Sequence, residues 1–111
     1  MPSQDRRSGE ERRSTNRYPV EMDVEWEGSA GRAPGSISDV SLEGCFVLSS
    51  GDVSDGESVK LFIPLADGMN VEFGGHVANH VIEIGFGFKF APLSDAQRDM
   101  LMKIVWDAEQ T

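Results

Sequence analysis

The sequence predicts a mainly β fold: a six-stranded antiparallel β-barrel with a C-terminal α-helix and a flexible N-terminal arm. Three observations carry that expectation. Short apolar runs recur between turn residues about every 8 to 12 residues, the spacing of a small barrel or sandwich. Near the end the apolar period lengthens to that of a helix. The start, by contrast, has no hydrophobic residue between Met1 and Tyr18. A chain of 111 residues with 39% hydrophobic content supports one domain and one modest core.

The arm is residues 1–17. It carries Arg6, Arg7, Arg12, Arg13 and Arg17 against Asp5, Glu10 and Glu11, a net +2 in a chain whose total is −9. Residues 18–111 therefore hold −11. A segment this polar cannot repay its ordering entropy by burial, so the sequence reads as disordered until something binds it. An ordinary solvated tail has the same composition. A cationic arm on an acidic body suits a small anion, whereas a long polyanion would be repelled by most of the surface, which argues against nucleic acid.

Tyr18-Pro19 stiffens the backbone ahead of the first strand. From Val20, the residues Val20, Met22, Val24 and Trp26 alternate with Glu21, Asp23, Glu25 and Glu27, the period of a half-buried strand with one acidic face. Gly28 to Gly31 turns the chain into a second strand over Arg32 to Val40. Gly44 to Leu48 is a third strand, and Val59 to Ile63 a fourth that stops at Pro64. Ala66 to Asn70 is a turn into Val71 to Val77. Asn79-His80 is read as a tight turn into a last strand over Val81 to Phe90. Ser94 with Gln97 makes a capping box, and Leu101, Ile104, Val105 and Ala108 form one apolar stripe, so a helix is expected over 94–109. Met100, Met102 and Trp106 widen that stripe, either as a broader core contact or as a surface for a partner.

Chemistry concentrates at Asp39-Val40-Ser41-Leu42-Glu43-Gly44 and in the arginines upstream. An ionised Asp only accepts hydrogen bonds, and the guanine edge offers two adjacent donors, N1 and N2, which a fixed carboxylate can take together. The Ser41 hydroxyl can face a phosphate or a base edge, and Gly44 permits a positive φ or a close backbone approach. Asp and Ser equally stabilise such turns through their own backbone. A guanidinium forks onto phosphate oxygens or guanine O6 and N7, and stacks on a purine face. Arginine and turn together thus suit a phosphorylated purine.

Arg13-x-x-x-Arg17, then Tyr18-Pro19-Val20, then Asp39-x-Ser41-x-x-Gly44 beginning 22 residues after Arg17, resembles the paired signature of PilZ domains. The closing Gly85-x-x-x-Lys89-Phe90 and capped helix are similar too, and the resemblance spans about Glu11 to Glu109. It implies a receptor for cyclic di-GMP that changes conformation on binding and signals to a protein partner. Arg13 and Arg17 would grip guanine and phosphate, Asp39 and Ser41 would face the base, Gly44 would shape the loop, and Arg12 would add a contact. Some members have lost the arginines and act as nucleotide-independent adaptors; none of the motif positions here departs from the pattern.

Other chemistry is not expected. His76 and His80 have no ligating residues at metal spacing, and Cys45 sits in an apolar run as a small core residue. Asp39 and Ser41 have no histidine at a spacing that argues for a triad, so no catalytic residue, metal or cofactor is predicted beyond the nucleotide ligand. With no run of about 18 apolar residues, no secretory start and a single cysteine, the expectation is a cytoplasmic protein with no membrane insertion; the sequence does not fix its oligomeric state, with a monomer favoured.

Overall fold

A computed structural model describes residues 16–65 and 68–110. Six strands follow in order: β1 (Tyr18–Gly28), β2 (Gly31–Val40), β3 (Gly44–Leu48), β4 (Ser58–Pro64), β5 (Asn70–Val81) and β6 (Gly85–Phe90). They close an antiparallel barrel in the order β1-β2-β3-β6-β5-β4, and the helix α1 (Asp95–Glu109) follows. The arm up to Thr15, and Ala66 and Asp67 of the expected turn, lie outside the described residues.

The alternation in β1 sends Val24 and Trp26 fully inward, while the acidic residues at the alternate positions, Glu21 to Glu27, stay exposed. Trp26 meets Phe86 edge-on, with ring centroids 5.1 Å apart, and its indole N–H donates to Ser49 Oγ at 3.1 Å. That bond meets the polar requirement of a ring that is otherwise wholly buried. Phe73, Phe86, Phe88, Leu61 and Val47 fill the rest of the interior.

The barrel closes through a narrow seam. β1 pairs with β4 only from Glu25 to Glu27, opposite Phe62 to Lys60. Earlier in β1, Val20 and Met22 face Ile104 and Ala108 of α1 across a shallow groove, so the helix covers the stretch that β4 leaves open. Leu101, Val105 and Ala108 are its buried stripe. The capping box forms as expected: Ser94 Oγ accepts from the Gln97 N–H at 3.1 Å, and Gln97 Oε1 accepts from the Ser94 N–H at 2.9 Å. Gln97 Nε2 also donates to the Glu72 carbonyl of β5 at 2.8 Å, tying the cap to the barrel.

Two expectations need correction. Asn79-His80 is not a turn: β5 runs on to Val81, and the chain reverses at Ile82-Glu83-Ile84, where the Ile84 N–H donates to the Val81 carbonyl at 3.0 Å. Glu83 takes the positive φ of 67° that the reversal requires. Asn79 instead follows a break in register between Val77 and Asn79, a bulge that a polar residue tolerates well. The other correction concerns the helix. Met100 packs against the core, but Met102 and Trp106 are 51% and 61% exposed, so for those two the broader core contact fails.

Candidate nucleotide site

The site forms where β1 begins, β2 ends and β3 starts. Antiparallel pairing sets Tyr18 opposite Val40 and Pro19 opposite Asp39, so the residue just before β1 must emerge beside the end of β2. Arg17 does so, and its Nη1 lies 2.7 Å from Asp39 Oδ1. Residues 22 positions apart in sequence are therefore in direct contact. Both side chains reach solvent, at 53% and 32% exposure. The guanidinium has further N–H groups to offer, and the carboxylate has a second oxygen.

The turn between β2 and β3 is held by Ser41, a polar residue buried to 2% exposure. Its Oγ accepts from the N–H groups of Glu43 at 3.1 Å and Gly44 at 3.2 Å, and its hydroxyl lies 3.2 Å from the Gly44 carbonyl. The Ser41 N–H donates to that same carbonyl at 2.8 Å. The hydroxyl is thus turned into its own loop and away from solvent. Ser41 fixes where the turn sits, and Asp39, paired with Arg17 through one oxygen, presents the other as an acceptor.

Gly44 has its own reason. A Cβ there would lie 2.1 Å from the Phe88 carbonyl oxygen, so any larger residue would push β3 off β6. Of the two possibilities its sequence position allows, close approach is the one used. Directly beneath lies Cys45, completely buried, whose thiol is pushed up to about 12 by burial first and by the charge of Asp39 second, with Arg17 partly offsetting. It is a core residue with no reactive thiolate at neutral pH.

Arg17, Ser41, Glu43 and Gly44 line one cleft of about 230 Å³ together with residues of β5 and β6, among them Asn79, Gly87 and Lys89. A roomier depression of about 600 Å³ near Glu57 and Lys60 collects none of the motif residues. Arg12 and Arg13 lie outside the described residues. Asn79 and Lys89 reach the cleft through cross-strand register; Lys89 falls in the closing Gly85-x-x-x-Lys89-Phe90 segment, but no motif marks Asn79 or places either residue in the cleft.

Arg17, Ser41 and Gly44 around one cleft, with Asp39 held against Arg17, invite comparison with known families. The model of the PilZ domain matches residues 11–105. The chain belongs to the PilZ domain family. Solved structures, PilZ domains among them, share its fold. The PilZ domain of CeSA from a cellulose-synthesizing bacterium superposes with a TM-score of 0.69 at 21% identity, over 85% of this chain and 98% of that one. The PilZ domain of YcgR from Escherichia coli, solved with c-di-GMP, gives 0.69 at 14% identity, over 86% and 89%. The Bacillus subtilis inhibitor of motility, MotI/DgrA, gives 0.70 at 15% identity over 85% of this chain, which spans 49% of that protein. No curated protein sequence matches the chain. Among the described residues, no cluster of His, Cys, Asp and Glu could hold a metal ion, and no helix is long and apolar enough to cross a membrane.

Proposed function

We propose that this PilZ domain is a receptor for cyclic di-GMP and that binding changes the surface it offers to a protein partner. The observation that carries the reading is the 2.7 Å contact between Asp39 and Arg17, the latter a lining residue of the cleft. The cation that suits phosphate and the carboxylate that suits a guanine edge already stand side by side, next to the turn that Ser41 and Gly44 fix.

Chemically, the guanine N1 and N2 donors take the Asp39 carboxylate, and the Arg17 guanidinium turns its remaining N–H groups to a phosphate. Arg12 and Arg13 precede this pair in the chain and supply further cations from the arm. Because the ligand shares Asp39 with Arg17, binding redraws that ion pair, and with it the placement of Arg17 just before β1. A partner that distinguishes the two arrangements must in turn alter the affinity for the ligand. No step in this scheme makes or breaks a covalent bond.

Calorimetric titration with cyclic di-GMP tests the reading. Saturable binding at micromolar affinity or tighter, roughly 8 kcal/mol, is expected. Absence of heat would leave the nucleotide-independent adaptor. That second reading draws on the outward Met102 and Trp106 of α1, an apolar pair on a face that is otherwise polar.

A further inference from the structure

The cleft has a far wall that the paired motif does not describe. Asp39 pairs with Phe46, Phe46 with Gly87, and Gly87 with Asn79, so these four form one cross-strand row over β2, β3, β6 and β5. Their neighbours along the strands, Cys45, Val47, Phe86 and Phe88, are buried, which puts the row on the outer face of the barrel. The adjacent row runs Gly44, Lys89, His76. Three strand spacings separate Asp39 from Asn79, about 14 Å.

Gly87 gives this wall its shape. A Cβ there would meet Asn79 Oδ1 at 2.6 Å, with every other heavy atom at 3.7 Å or beyond, so the space over residue 87 is held by the Asn79 carboxamide. Gly44 and Gly87 are themselves buried, so the exposed side chains of Asn79 and Lys89 beside them form this wall of the cleft. A carboxamide offers both an acceptor and donors, and so complements a purine edge where donor and acceptor are adjacent. Lys89 is exposed, and among the described residues it makes no ion pair. Glu43 shares the cleft and opposes a phosphate, while Arg17 is already committed to Asp39. The described part of the cleft is therefore short of positive charge without Lys89.

We propose that the nucleotide site continues across β6 onto β5, with Lys89 as a second phosphate-binding cation and Asn79 as a second group reading a purine edge. The inference rests on the cyclic di-GMP reading. A ligand with two guanines and two phosphates then meets two base-reading groups, Asp39 and Asn79, at opposite ends of one row, and two described cations, Arg17 and Lys89.

Titration of the full chain with cyclic di-GMP at two salt concentrations tests this in the wild type, Lys89→Met and Asn79→Ala, with Lys103→Met on the helix as a control. Each of the first two variants should raise Kd about tenfold, the loss of one charge-assisted or well-placed hydrogen bond. Lys89→Met should also flatten the salt dependence, Asn79→Ala should leave it unchanged, and the control should bind as wild type. Wild-type affinity in Lys89→Met and Asn79→Ala, with melting temperatures preserved, overturns this inference while leaving the receptor reading intact. A wild-type chain that does not bind overturns both.

Discussion

Replacing Arg17 by alanine separates a binding residue from a structural one. The Arg17–Asp39 pair is short, at 2.7 Å, but its side chains are 53% and 32% exposed. Water and salt screen such a pair, and exposed ion pairs contribute about 0.2–1 kcal/mol to folding. For a domain of this size, about 1 kcal/mol corresponds to 4–8 °C in melting temperature. Arg17→Ala should therefore lower Tm by no more than about 8 °C. For a bound nucleotide the same guanidinium supplies charge-assisted hydrogen bonds of about 1.5–3 kcal/mol each. Loss of even one raises Kd roughly 10-fold to 150-fold. Thermal melts and calorimetric titrations on the same preparation give both quantities. A Tm that collapses, or a Kd for cyclic di-GMP that stays put in a folded variant, would refute the assignment.

Asp39→Ala should weaken cyclic di-GMP far more than an adenine analogue, and equal losses in competition titrations would remove Asp39 as the base reader. Gly44→Ala drives a methyl against the Phe88 carbonyl, 2.1 Å from the ideal Cβ, and should cost about 1–3 kcal/mol or more in thermal melts; a Tm within a degree of wild type would mean the strands separate freely. Cys45 holds its proton up to about 12 when folded, against 9.0 for an ordinary thiol. The raised value means its stabilising effect is complete below pH 9 and is lost as pH climbs from there towards 12. Denaturant melts across that range should fall less steeply for Cys45→Ala than for wild type, and parallel curves would contradict the burial effect. Raising salt should weaken cyclic di-GMP binding by screening the arginine contacts, as titrations in a salt series will record.

Much of the barrel is legible in the chain because a closed sheet needs one apolar face per strand, and period-two alternation states that face locally. Val24 and Trp26 show it plainly. The β5–β6 reversal is hidden for the same reason: Val81, Ile82 and Ile84 look like strand, while the polar Asn79-His80 that mimics a turn sits within β5 at a bulge. Of the site, Arg17, Asp39 and Gly44 can be found from spacing and residue chemistry. Ser41 can be found too, but its hydroxyl faces the loop, a consequence of burial that only the folded turn decides. Asn79 and Lys89 join the cleft through the pairing of β3, β6 and β5, and register of that kind is set by the whole barrel. The exposure of Met102 and Trp106 likewise depends on how α1 rotates onto β1, which apolar content alone does not fix.

The central claim is that the cationic leader and the β2–β3 turn close on the same guanine dinucleotide. Backbone amide shifts followed by NMR during a cyclic di-GMP titration report on both regions at once. The account predicts that Arg17 and the residues from Asp39 to Gly44 shift together and saturate with a single Kd. Shifts gathered instead around Ile82 to Ile84 at the far end of β5, or a spectrum unmoved by the nucleotide, would contradict it.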